Sequence, residues 1–179
     1  MITAAAHDVS LPLFRVKDPV SAATHFAAFL AAILFTPILL THAAARGAST
    51  AAMASLSVFL LSMVLLYGAS TAYHSFHLTA QGEVRLQRLD HMMIFVLIAG
   101  SYTPICTIAL GQQGLWLLIL VWALAAAGMA AKFFLVGCPK WVSSVMYIGM
   151  GWVCLLAIPM IFRALRSGGF FFLLLGGIF

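Results

Sequence analysis

Charge is what this chain has least of. Only 7% of its 179 residues are Asp, Glu, Lys or Arg, against roughly 25% in an ordinary soluble domain. Acidic side chains number four: Asp8, Asp18, Glu83 and Asp90. Cysteine is scarce too. Cys106, Cys138 and Cys154 stand in or beside apolar runs and form no CxxC pair, which argues against a disulfide framework or a thiolate metal cage. No second domain, low-complexity tract or clear internal repeat breaks the sequence. The first apolar run starts well into the chain and others follow it, which does not fit a cleaved signal peptide.

What is present is apolar. Hydrophobic residues make up 64% of the chain and the mean hydropathy is +1.12. A membrane helix needs about 20 apolar residues to cross a core of roughly 30 Å. Five segments meet that length: Val20–Ala44, Ala51–Tyr73, His91–Leu110, Leu115–Val136 and Trp141–Phe162. The links between them are Arg46–Thr50, Ser75–Leu89, Gly111–Gly114 and Gly137–Lys140. They are short enough to make neighbouring helices antiparallel. The expected fold is an all-α polytopic membrane protein, one membrane domain over residues 1–179. Pro37, Pro104 and Pro159 fall inside spans, where neighbours can re-satisfy the backbone. "AAAGMAA" at Ala125–Ala131 is a small-residue face suited to close helix packing. "GSYTP" at Gly100–Pro104 reads as a packed, kinked helical segment, and the four tryptophans as belt or packing residues.

Lys and Arg set the orientation. With the N-terminus inside, the inner side holds Arg15, Lys17, Arg85, Arg88, Lys132 and Lys140, and the outer side Arg46, Arg163 and Arg166. Cytoplasmic loops carry the excess of positive charge, so an N-inside chain is expected. The net charge of +5 then reports loop charges and not nucleic-acid binding. The chain closes on "FFFLLLGGIF". Gly168–Phe179 is 12 residues, about 18 Å of helix, too short to cross. It reads either as a re-entrant or interfacial tail or as a sixth span cut off midway.

The polar residues gather in one place. Ser70 and His74 are four apart and share a helix face. A turn through Ser75–Leu89 can bring Asp90, at the start of the third span, beside them. Ionisable residues in a membrane are costly and mark functional sites. Imidazole, carboxylate and hydroxyl together suit zinc: the imidazole binds metal, the carboxylate binds it directly or through water, and the hydroxyl supports them. Plainer readings stand beside this one. His74 can be an interfacial residue, and Asp90 can be the N-cap of the third span. Ser70 can bond its own backbone. His77 and His91 can face the interface or cap the loop, and Thr24 and His25 can either support the metal ligands from behind or cap the first span.

Three strings carry a resemblance: "PVSAATH" at Pro19–His25, "SxxxH" at Ser70–His74, and "RLDHMMIFVLIAGSYTPI" at Arg88–Ile105. They resemble bacterial hemolysin III proteins, which group with the adiponectin and progestin receptors (the PAQR family). The resemblance covers nearly the whole chain. It implies a seven-helix bundle with a cytosolic N-terminus, of which this chain supplies five complete helices and part of a sixth. It also implies a zinc site in which His74 is a ligand, Asp90 holds the metal's water and Ser70 stands just behind them. The remaining ligands implied are an HxxxH motif in helix 7. These residues contain no such motif, and after Asp90 the only histidine is His91. The expectation is a chain cut before helix 7, whose half-site holds zinc weakly.

The function so implied is a zinc-dependent membrane hydrolase. It would act on a lipid amide or ester, ceramidase-like by resemblance, with Asp90 and Ser70 as its catalytic pair. Two alternatives belong to other classes: a non-enzymatic sensor or regulator of membrane lipid, and a membrane-damaging hemolysin. A pore former that moves between membranes needs a soluble form, which five apolar spans oppose. The expected partner is membrane lipid and the expected location the inner or plasma membrane.

Overall fold

Ser49 and Thr79 set where two of the long helices begin. Each side chain accepts a backbone N–H from three residues on, Ala52 N at 3.2 Å and Gly82 N at 3.3 Å, satisfying donors that a helix start leaves open. This computed structural model describes residues 16–134, 140–165, 168, 169, 171 and 175. Its α-helices are α1 (Pro19–Ala45), α2 (Thr50–Ser75), α3 (Ala80–Pro104), α4 (Leu115–Phe134), α5 (Lys140–Trp152) and α6 (Ile158–Ala164). A π turn over Ile105–Ala109 prolongs α3, a 3₁₀ turn over Gly111–Gly114 leads into α4, and another over Val153–Ala157 joins α5 to α6. The described residues include no strand.

Five stretches are long and apolar enough to cross a membrane: Pro19–Ala45, Thr50–Ser75, Ala80–Ala109, Gly111–Phe134 and Trp141–Ala164, with mean hydropathies of 1.8 to 2.1. The chain is all-α and built to span a bilayer several times. Two expectations need correction. The link expected over Ser75–Leu89 shrinks to residues 76–79, because α3 starts at Ala80 and not at His91. Its first turns, "AQGEVRLQRL", are too polar to register as a span yet rich in good helix formers, and Glu83 complements the positive helix start. The fifth span is also not one α-helix, since the 3₁₀ turn at Val153–Ala157 interrupts it. The Gly137–Lys140 link and the end of the fourth span at Val136 lie outside the described residues apart from the backbone of Lys140, and so does most of Gly168–Phe179.

α1 packs along α2, α2 along α3, and α3 against α4 and α5. α1 is peripheral, leaving Phe26, Leu30, Ile33, Leu34 and Ile38 exposed, as suits a lipid-facing helix. The core lies around α3, with Phe95, Ala99, Cys106, Leu117, Val121, Ala125 and Ala157 fully enclosed. Gly128, inside the small-residue run of α4, sits against the Phe95 ring so closely that a Cβ would overlap it.

The GSYTP segment ties the bundle together. Tyr102 donates its hydroxyl hydrogen between the carbonyls of Met150, at 3.1 Å, and Gly151, at 2.8 Å, and accepts from Cys154 N at 2.8 Å. Trp122 Nε1 donates to Thr103 Oγ1 at 3.1 Å. The Tyr102 bonds fall where α5 gives way to the 3₁₀ turn. Irregular backbone at membrane depth persists only where protein groups satisfy it, and one phenol does so here.

Candidate functional site

The antiparallel register of α2 and α3 positions the polar residues. Near one end, Gln87 Nε2 donates to the Tyr73 hydroxyl at 3.1 Å. Deeper in the pair, Gly100 approaches Ser62 so closely that a Cβ would meet its hydroxyl. Ser70 lies three residues before Tyr73, and Asp90 three residues after Gln87. Because the helices run oppositely, the two stand at one level. Both are buried, with relative exposures of 4% for Ser70 and 8% for Asp90. Asp90 is the eleventh residue of α3, and the helix is capped by Thr79. The N-cap reading of Asp90 is therefore wrong: it lies in the interior of α3 and is buried, not at a helix start.

His74 stands one turn beyond Ser70, in the last turn of α2. On α2, Ser62 and Tyr73 face α3, while Tyr67 and His74 face α1. Ser70 falls between these two faces. The His25 ring of α1 stacks on the His74 ring with centroids 5.5 Å apart and planes 11° apart, and Tyr73 meets the same imidazole edge-on at 4.9 Å. His74 Nδ1 lies 3.0 Å from Asp18 Oδ2.

The segment before α1 closes this end of the bundle. Asp18 N donates to the His74 carbonyl at 2.9 Å and Lys17 N to the Ser75 carbonyl at 3.4 Å. The Lys17 ammonium sits 4.0 Å from the Tyr73 ring centroid and 3.7 Å from Glu83 Oε2. Lys17 thus links the end of α2 to α3 through Glu83, while Asp18 is held on His74 of α2. Sequence reasoning missed Asp18, Tyr73, Gln87 and Tyr147, whose hydroxyl donates to the His91 carbonyl at 3.0 Å. The signal for Asp18 was its place: an isolated acid just before a helix-opening proline, in a chain with four acids.

The other sequence candidates are not gathered here. His77 is exposed in the link before α3. Thr24 bonds its own helix, donating Oγ1 to the carbonyls of Val20 and Ser21 at 3.0 Å each. His25 is drawn in, but by stacking.

A family model described as haemolysin-III related matches residues 14–179. The chain belongs to the haemolysin-III family. Among its relatives, a protein named "Hemolysin-3" from Bacillus cereus is 39% identical over 166 residues, covering 92% of this chain and 75% of the relative. A "Hemolysin-3 homolog" from Bacillus subtilis (strain 168) is 37% identical over 168 residues, covering 93% of this chain and 78% of the relative. No solved structure matches the chain.

The donor chemistry of this haemolysin-III chain can be set against zinc, which takes nitrogen and oxygen ligands in a set of four. Asp18 occupies one side of the His74 ring, so Nε2 is the nitrogen left for a metal, and Asp90 supplies a buried carboxylate. Both are of ligand types that zinc accepts. Among the described residues, no group of three or more His, Cys, Asp and Glu side chains gathers into a cage.

Proposed function

We propose that this haemolysin-III protein is a zinc-dependent membrane hydrolase acting on an amide or ester bond of a lipid. The observation that carries the reading is the burial of Ser70 and Asp90 at one level between α2 and α3, one turn from His74. A carboxylate within a bilayer is costly unless it has work to do, and Asp90 is not a cap. His74 and Asp90 would hold the metal; the HxxxH motif that the resemblance implies for the remaining ligands is not among these 179 residues. The N-terminus and the link at 76–79 face the cytoplasm.

Zinc bound there would lower the pKa of a coordinated water to about 7. Asp90 takes a proton as the water oxygen attacks the carbonyl carbon, and returns it to the amine or alcohol that leaves when the C–N or C–O bond breaks. Ser70, level with Asp90, donates its hydroxyl to the oxygen on which charge develops. The lipid reaches the site laterally from the bilayer, so no water-soluble substrate is required.

The relatives' printed name favours a second reading, direct membrane damage. The five apolar stretches oppose it, since such a chain has no evident soluble form. Dye release from zinc-free liposomes separates the two.

The test is zinc content. In a form of the chain continued by a helix carrying HxxxH, wild type should hold one zinc per chain, His74→Ala should lose most of it, and His77→Ala should retain it. Equal loss in the two variants, or none, removes His74 from the metal.

A further inference from the structure

The Asp18 carboxylate has no part in the hydrolytic reading above, yet among the described residues it is the acidic group placed on the His74 imidazole. Asp18 Oδ2 and His74 Nδ1 are 3.0 Å apart. The contact spans 56 residues of sequence and is fixed from both sides by backbone, because Asp18 N also bonds the His74 carbonyl at 2.9 Å. A side chain whose own N–H is anchored to the residue it contacts has little freedom to leave it. The neighbours add to the hold. His25 lies flat against one face of the ring, and Tyr73 meets it edge-on. Lys17 is turned away from the pair, toward the Tyr73 ring and Glu83, so the nearest ammonium does not compete for the Asp18 carboxylate.

A neutral imidazole carries one proton, and the hydrogen bond made by one nitrogen decides which form is present. A carboxylate accepts only. With Asp18 on Nδ1, the proton belongs on Nδ1 and the lone pair on Nε2. Metal-binding histidines commonly donate their other N–H to a carboxylate or carbonyl, which orients the ring and makes the donor nitrogen more basic. We infer that Asp18 is a positioning residue: it holds His74 in the Nδ1–H tautomer and so makes Nε2 a metal donor. This rests on the zinc reading of the site, but the hold of Asp18 on the ring can be measured without metal. Asp18 is half-exposed, with 51% of its side chain accessible. Its contribution is therefore to ring orientation, because an ion pair that open to water adds little stability.

The experiment is nitrogen-15 NMR of the 179-residue chain, labelled at histidine and held in detergent micelles, for wild type, Asp18→Ala and Asp18→Asn. Without metal, wild-type His74 should show the Nδ1–H pattern. Asp18→Ala should shift the ring toward Nε2–H, and Asp18→Asn, whose amide oxygen still accepts, should recover much of the wild-type pattern. An Nε2–H ring in wild type, or an Asp18→Ala ring identical to it, overturns the inference. Zinc is then added to wild type and Asp18→Ala in the form continued by a helix carrying HxxxH. The wild-type Nε2 signal should respond first, and Asp18→Ala should need about 10–100-fold more zinc for the same response. Equal requirements in the two chains overturn the positioning role even if the tautomer moves. A wild-type Nε2 that never responds, with the tautomer result as expected, removes the zinc reading instead, so the two failures are told apart. His42, in the last turn of α1 and away from this contact, reports whether a substitution has disturbed the fold: its signals should stay in place in all three chains.

Discussion

Gln87 Nε2 donates to the Tyr73 hydroxyl at 3.1 Å, and this bond marks which residues of α2 and α3 share a level. Ser70 and Asp90 stand at one level because each lies three positions deeper than its partner in that pair. Tyr73→Phe should lower stability by about 0.6 kcal/mol, typical of a side-chain hydrogen bond between membrane helices. Unfolding of the purified protein in mixed micelles measures it. The register itself is checked by cross-linking. In a cysteine-free background, Ser70→Cys with Asp90→Cys should oxidise to a disulfide far faster than Ser70→Cys with Phe95→Cys.

Tyr102 serves three backbone groups at the break in the fifth span. Tyr102→Phe keeps the ring and removes all three bonds. Leaving buried carbonyls unpaired costs about 1–3 kcal/mol, so this substitution should cost several times more than Tyr73→Phe in the same unfolding assay.

Close approach separates the glycines. A Cβ at Gly128 would overlap the Phe95 ring, whereas one at Gly149 would meet nothing within 4 Å. Gly128→Ala should destabilise by about 1–3 kcal/mol through overpacking. Gly149→Ala should be neutral or stabilise by up to about 1 kcal/mol, since alanine is the better helix former. Thermal unfolding of the two variants side by side tests the contrast.

Topology follows from the same helices. Gln81 and Gln112 are exposed at opposite ends of the stretch Ala80–Ala109. With the N-terminus in the cytoplasm, Gln112→Cys should react with an impermeant thiol reagent in intact cells and Gln81→Cys only after lysis. The reverse pattern places the N-terminus outside.

The sequence revealed most of the architecture because crossing a bilayer demands long apolar runs, and such runs are visible in hydropathy alone. It concealed what is helical without being apolar. "AQGEVRLQRL" reads as a link on hydropathy, yet it forms the first turns of α3, and that error placed Asp90 at a helix start. It also hid where the apolar fifth span leaves the α-helix: Val153–Ala157 is 3₁₀, with Cys154 N bonded to Tyr102 across the bundle and Pro159, which has no N–H to give Leu155, just beyond. The site was half legible. The four-residue spacing of Ser70 and His74 was visible in the sequence. Their relation to Asp18 was not, because a contact made 56 residues away leaves no periodic trace.

Asp90→Asn tests the central claim most directly, in a form of the chain continued by an HxxxH-bearing helix and incubated with membrane lipid extract. Asparagine matches aspartate in size, and Asp90 caps no helix, so fold and expression should be unchanged. It carries no negative charge and is a poor base. The account predicts that wild type releases free fatty acid in a chelator-sensitive way, that Asp90→Asn loses about 10²–10⁴-fold of that rate, and that Ser70→Ala loses about 10–100-fold. Release that continues undiminished in Asp90→Asn, or that ignores the chelator in wild type, would contradict it.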